Sequence, residues 1–207
     1  MSRIPPPARP AAAPPTHPAA TRWLHWGSAA LLVAAFVLGL VMEEWPRGAP
    51  RDTAMMVHYS LGALVLGLVC IRLLRRILLP PAVVGPARGA PAGPVAADLV
   101  AAAAHWTLYA MMLVLPLTGA LDRWARGRRL AVFGDLVIPP PFAIPGGKLW
   151  GEVHETIAYA LVALVAAHVA AALWHHFVLR DGVLLRMLPP GSVPASRGGS
   201  AVAEPRA

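Results

Sequence analysis

Apolar residues in this chain fall in four long blocks, with no strict alternation and no narrow amphipathic stripe. The blocks extend from about Trp23 to Met42, Met55 to Leu74, Leu99 to Leu121 and Thr156 to Leu179. Each is close to the 20 or so helical residues needed to cross a hydrocarbon core of roughly 30 Å. The pattern predicts four transmembrane helices. Pro116 lies inside the third, where a membrane helix tolerates it as a kink. The segments outside these blocks are different in kind: residues 1–20 are mostly Pro and Ala, residues 80–97 add Gly, and residues 189–207 are Pro, Gly, Ser and Ala. None offers a periodic apolar face, so the two ends read as a disordered arm and tail flanking one domain over 21–188. The first block is longer than a signal-peptide core and no clear small-residue cleavage site follows it, so it is read as a retained helix. No repeat of 20–50 residues is evident. The expected fold is all-α, a membrane-spanning four-helix bundle.

Composition sharpens this reading. With 57% hydrophobic residues, 14% charged and a mean hydropathy of +0.58, the 207-residue chain lies outside the range of soluble globular domains. Cys70 is the single cysteine. That excludes an intramolecular disulfide, a thiolate zinc site and the CxxCH attachment of c-type haem, so any cofactor is held noncovalently. The net charge of +8 could suggest nucleic acid, but the arginines gather at the ends of apolar runs and form no basic face. Eleven of the 18 Lys and Arg lie on the N-terminal arm, the second connection and the C-terminal tail. By the positive-inside rule those segments, and hence both termini, are expected in the cytoplasm. Arg123, Arg126, Arg128 and Arg129 run against the rule and face outward.

Seven of the eight histidines, His25, His58, His105, His154, His168, His175 and His176, sit in or beside the apolar blocks. Ionisable groups there are costly and usually face the bundle interior. His154 and His168 are 14 residues apart, which is 40° short of four turns and about 21 Å of rise. They share one face at two depths. By depth, His58 pairs with His154 near the outer surface and His25 with His168 toward the cytoplasm. Two facing imidazole pairs suit bis-histidine ligation of two b-type haems. A zinc or copper site would gather three or four ligands at one point, and a proton relay would not need the 14-residue spacing. Gly27, Ser28, Ala29, Gly62 and Ala63 near His25 and His58, and the alanines around His168, could make room for a macrocycle or serve ordinary helix packing.

RWLHW at 22–26, VHYSLG at 57–62, HWTLY from 105, LPLTG at 115–119, HETIAY at 154–159 and HVAAALWHHFVLRDGVLLRMLP at 168–189 are similar to stretches of the bacterial cytochrome b561 family. The resemblance covers roughly residues 20–190. It implies haem iron held by His25, His58, His154 and His168, with His105 in a hydrogen bond near a haem or quinone. It also implies one-electron transport in the bacterial inner membrane and, in one member type, oxidation of superoxide with ubiquinone as acceptor. Related cytochrome subunits of larger quinone-linked enzymes usually have a fifth helix, which this sequence lacks.

The reading taken from the sequence is a superoxide:ubiquinone oxidoreductase. Its rivals are a haem-b membrane anchor serving a redox partner protein and a non-haem, His-lined transporter. His175, seven residues beyond His168 and about 10 Å closer to the cytoplasm, is a candidate quinone contact; an interfacial anchoring role is the alternative. The four outward arginines are candidates for steering superoxide, or for binding anionic lipid headgroups.

Overall fold

The computed structural model describes residues 16–80 and 95–189, so the expected disordered arm and tail lie largely outside the described residues. Its helices are α1 (Ala19–Val41), α2 (Ala49–Leu78), α3 (Val95–Ala125) and α4 (Leu149–Trp174). All four are long and apolar enough to cross a membrane. α2 and α3 outrun their apolar blocks at both ends, and α1 and α4 at their N-terminal ends. α2 begins at Ala49, with Pro50 and Asp52 in its first turn and Arg75 and Arg76 in its last. Proline loses nothing at a position whose N–H has no helical partner, and these charges complement the helix dipole. α4 begins at Leu149, which brings His154 inside the helix.

α1 packs on α2, α2 on α3 and α3 on α4. Val65 and Val69 of α2, Met112 of α3 and Leu161 of α4 form the buried core, with Leu31 and Leu32 of α1 packed against it. Lipid tails are as apolar as these side chains, so close fit between helices holds the bundle more than hydrophobic transfer does. Gly62 faces Pro116 and Gly27 faces Leu68, each leaving only ordinary contact distance for a side chain. A methyl group would fit at either position, and neither glycine faces a histidine.

The end of the bundle bearing both chain ends is called inner, and the opposite end outer. At the outer end the apolar pattern gave no sign of a hairpin, β1 (Leu130–Val132) with β2 (Leu136–Ile138), paired Leu130↔Ile138 and Val132↔Leu136. It adds a two-stranded sheet to an otherwise helical fold. Its turn needs positive φ at Phe133 (53°) and Gly134 (85°). The Phe133 N–H donates to Ser60 Oγ at 2.8 Å, the Gly134 N–H approaches Met56 Sδ at 3.4 Å, and Val132 is buried. The hairpin is thus fastened to α2 beside His58. At the inner end, α4 widens into a π-helical turn at His175–Leu179 and a 3-10 turn follows at Leu185–Met187. The Trp26 indole donates to Met187 O at 2.9 Å and the His17 N–H to Arg186 O at 2.9 Å, tying this segment to α1.

Candidate functional site

Four helices give four interior faces, and each carries two residues 14 positions apart: His25 and Gly39 on α1, His58 and Arg72 on α2, His105 and Gly119 on α3, His154 and His168 on α4. Fourteen residues return to nearly the same face about 21 Å along the axis. Because the chain reverses at each connection, the eight positions fall into two levels. Gly39, His58, Gly119 and His154 make the outer level, and His25, Arg72, His105 and His168 the inner level.

At the outer level the rings of His58 and His154 have centroids 6.1 Å apart at an interplanar angle of 75°. At the inner level His25 and His168 are 6.4 Å apart at 60°, with His105 at 5.3 Å from His168. The structure brings together the pairs that depth selected and adds His105 to the inner one. The two pairs link α2 to α4 and α1 to α4, which are not the closely packed neighbours of the bundle.

A macrocycle iron held between two imidazoles sets a spacing that can be checked. A metal–imidazole nitrogen bond is about 2.0 Å and a ring nitrogen lies about 1.1 Å from its ring centre, so two rings sharing one metal would have centres about 6.2 Å apart. Both observed pairs match. The residues present therefore fit bis-imidazole haem.

Tautomers fit as well. His58 Nδ1 lies 3.0 Å from Ala35 O, and His154 Nδ1 lies 2.9 Å from Leu115 O, with Thr118 Oγ1 at 3.4 Å. A carbonyl only accepts, so each Nδ1 carries the proton and each Nε2 keeps its lone pair for a metal.

These two bonds explain two glycines that the apolar pattern did not single out. Gly39 follows Ala35 by four residues and Gly119 follows Leu115 by four. A Cβ at Gly39 would stand 3.2 Å from His58 Cε1, and one at Gly119 would stand 3.0 Å from His154 Cε1. In a helix the residue at i+4 overlies the carbonyl of residue i. Without a side chain there, the imidazole from the neighbouring helix can reach that carbonyl. The signal in the sequence was the 14-residue interval from His25 and His105.

The outward arginines are not equivalent. Arg126 pairs with Asp122 at 2.7 Å, and both fill the space left by Gly151, where a Cβ would meet Asp122 Oδ1 at 2.8 Å. Arg123 stacks over Tyr59, the neighbour of His58, with its guanidinium carbon 5.6 Å from the ring centroid, and donates from Nε to Arg129 O at 3.0 Å. Arg128 and Arg129 are exposed. The outer connections carry seven Lys and Arg and seven Asp and Glu; the inner segments carry eleven and three.

His175 lies at the end of α4, where its Nδ1 bonds the Asp181 carboxylate. Burial works to raise the Asp181 carboxyl, but the bonds from His175 and the Val183 N–H prevail and hold it below the usual carboxylate range. A cleft of about 340 Å³ lined by His176, Arg180, Asp181, Gly182 and Leu185 opens beside the pair. His176 turns its ring toward Phe177.

The chain has relatives among known proteins. Cytochrome b561 homolog 2 of Escherichia coli (strain K12) is 33% identical over 81% of this chain and 88% of its own length. A probable superoxide oxidase CybB of Yersinia pestis is 30% identical over 80% of this chain and 92% of its own. Cytochrome b562 of Cereibacter sphaeroides is 28% identical over 81% and 91%. Residues 16–190, spanning all four helices and both histidine levels, match the prokaryotic cytochrome b561 family, and the chain belongs to it.

Proposed function

We propose that this multi-pass bacterial membrane protein resides in the inner membrane with both termini cytoplasmic. In this reading it oxidises superoxide at the periplasmic, outer end and reduces ubiquinone at the cytoplasmic, inner end. The observation that carries the proposal is the two imidazole pairs, 6.1 and 6.4 Å apart, at two levels of one bundle. His58 and His154 would hold the outer haem b and His25 and His168 the inner one. Bound there, the two haems supply reversible one-electron transfer, which in series matches a one-electron donor to a two-electron acceptor.

His58 and His154 act through the Nε2 lone pairs that the Ala35 and Leu115 carbonyls leave free. Held by two imidazoles each, the haems would serve as electron relays, and the residues at the two levels are accounted for as their holders, not as an oxygen-binding site. Two superoxide anions release two molecules of dioxygen and two electrons; ubiquinone takes the two electrons and two protons to become quinol. At the outer end Arg123, Arg128 and Arg129, with Arg126 partly cancelled by Asp122, concentrate the anion near Tyr59 and His58. The name of the Yersinia pestis relative supports the choice of donor. At the inner end His175, its Nδ1–H donated to the Asp181 carboxylate, would hydrogen-bond and pass a proton to a quinone oxygen through the Nε2–H of its imidazolium form.

The test is a visible spectrum with haem quantification on the purified protein, then reduction by superoxide and reoxidation by ubiquinone. Two b-type haems per chain and both half-reactions are expected. A protein without haem overturns the whole reading. A two-haem protein that superoxide does not reduce keeps the cytochrome but loses the donor.

A further inference from the structure

α2 passes through both levels, and its two level positions differ in kind: His58 at the outer, Arg72 at the inner. Arg72 lies within the spanning part of α2 and is half-buried. Its guanidinium carbon is 5.1 Å from the centroid of the Tyr109 ring, one turn along α3 from His105. It shares the inner level with His25, His105 and His168. The inner level is therefore three imidazoles and one guanidinium, whereas the matching outer positions of α1 and α3 are glycines.

A guanidinium keeps its proton under all ordinary conditions, and a cation held in hydrocarbon calls for an anion. Stacking on tyrosine answers only part of that demand. Among the described residues no carboxylate lies within salt-bridge distance of Arg72. The inner half of the sequence has three acids: Asp98 stands two turns from His105 toward the inner end, Asp181 is bonded to His175, and Glu204 is in the far tail.

We propose that Arg72 is a carboxylate-binding residue that grips a propionate of the inner haem and makes the inner site the better electron acceptor of the two. The proposal rests on the two-haem reading. Reduction adds one negative charge to a haem site, and a guanidinium bonded to its carboxylate favours that added charge. No cation stands at the four outer positions, and the neighbouring outer cation Arg123 is stacked on Tyr59 with its Nε bonded to Arg129 O, so the carboxylate-bonded guanidinium of the inner level favours electron flow inward. A lipid phosphate reaching in from the inner headgroups shares the same chemistry and is separated from propionate by the test.

The experiment is a spectroscopic redox titration of the haem-loaded protein in its membranes, with the inner step identified as the one lost in His25→Ala. Arg72→Gln is expected to lower the reduction equilibrium constant of the inner step at least tenfold, about 59 mV for a one-electron couple, and to leave the outer step within twofold. Resonance Raman spectra of the same variant should show a shifted propionate bending band. Arg76→Gln removes the same charge one turn away, where Arg76 stacks on Trp106 at 5.2 Å, and should change the inner step less than threefold. Arg72→Lys should recover most of the potential without restoring the Raman band. An unshifted band in Arg72→Gln overturns the proposal and assigns Arg72 to lipid phosphate or to a general field. Equal effects of Arg72→Gln and Arg76→Gln also overturn it. Should Arg72→Gln fail to accumulate, the Raman band of Arg72→Lys decides by the same criterion. A native protein with no b-type spectrum instead removes the two-haem reading itself.

Discussion

Replacing Gly119 by Ala puts a methyl carbon where the outer imidazole already lies. The added Cβ would stand 3.0 Å from His154 Cε1 and 3.1 Å from Nδ1, while ordinary contact begins at 3.4 Å. Ring and helix must therefore separate by about 0.4 Å. The ring has little freedom to yield, because its Nδ1–H is held by Leu115 O at 2.9 Å and approached by Thr118 Oγ1 at 3.4 Å. Overpacking of this kind costs about 1–3 kcal/mol, and weakening the hydrogen bond costs about 1 kcal/mol. Alanine returns up to about 1 kcal/mol through its better helix propensity. The net cost to the outer site is roughly 1–3 kcal/mol, about five- to 150-fold in its equilibrium. The assay is haem content per chain together with a redox titration, read against Gly67→Ala, where the same methyl meets nothing within 4 Å. Gly119→Ala should lose or shift the outer haem alone, and Gly39→Ala, with its longer 3.2 Å contact, should do so less. A Gly119→Ala protein matching Gly67→Ala in haem content and in both redox steps refutes the reasoning.

Each proposed ligand pair should behave as a unit: His58→Ala and His154→Ala should remove the same haem spectrum, and His25→Ala and His168→Ala the other; any different grouping overturns the pairing. Superoxide-driven haem reduction should slow as ionic strength rises, since steering is screened over about 10 Å at 0.1 M salt. Exchanging Arg123, Arg126, Arg128 and Arg129 for Gln should flatten that dependence; a salt-independent native rate ends the steering role. His175→Ala should keep both haems and slow quinone reduction at least tenfold, and an unchanged rate removes the quinone contact. Asp181 has a depressed folded-state pKa, so its hold on the inner turn is complete at neutral pH and lost only as pH falls through that depressed value. Amide exchange over residues 180–187 should accordingly be faster in Asp181→Asn than in the native protein at pH 7, with the difference vanishing in strong acid.

The four helices were legible because a 20-residue apolar block has few other uses. The geometric pairing of His58 with His154, and of His25 with His168, was legible because a 14-residue interval fixes face and depth together. Other parts left no comparable trace. Gly39 and Gly119 act by lacking a side chain, and in a chain with 18 glycines and abundant alanine that signal was attached to Gly27 and Gly62, which meet Leu68 and Pro116 instead. The Leu130–Ile138 hairpin is two three-residue strands, too short for alternation to register, and hydrogen bonds to Ser60 and Met56 far along the chain hold its turn. The π-helical turn at His175 is a change of hydrogen-bond register, which composition does not encode. The bond from His175 to Asp181 depends on it and was equally invisible.

The separation of the two levels has an electrical consequence. About 21 Å of helix axis is roughly two-thirds of a 30 Å hydrocarbon core, so an electron passing from the outer to the inner level moves through most of the transmembrane field. In the proposed orientation, with the termini in the cytoplasm, that movement would run toward the negative side of an energised membrane. At about 2.3 kcal/mol per charge per 100 mV, the step costs about 1.6 kcal/mol for each 100 mV. That is roughly a fifteenfold bias toward leaving the electron outside. Among the described residues the inner cations Arg22, Arg72, Arg75, Arg76, Arg180 and Arg186 outnumber the carboxylates Asp98 and Asp181 and oppose the bias, so the proposed turnover should depend on respiratory state. The same protein in vesicles should run fastest when the potential is collapsed by an ionophore and slow as it is restored.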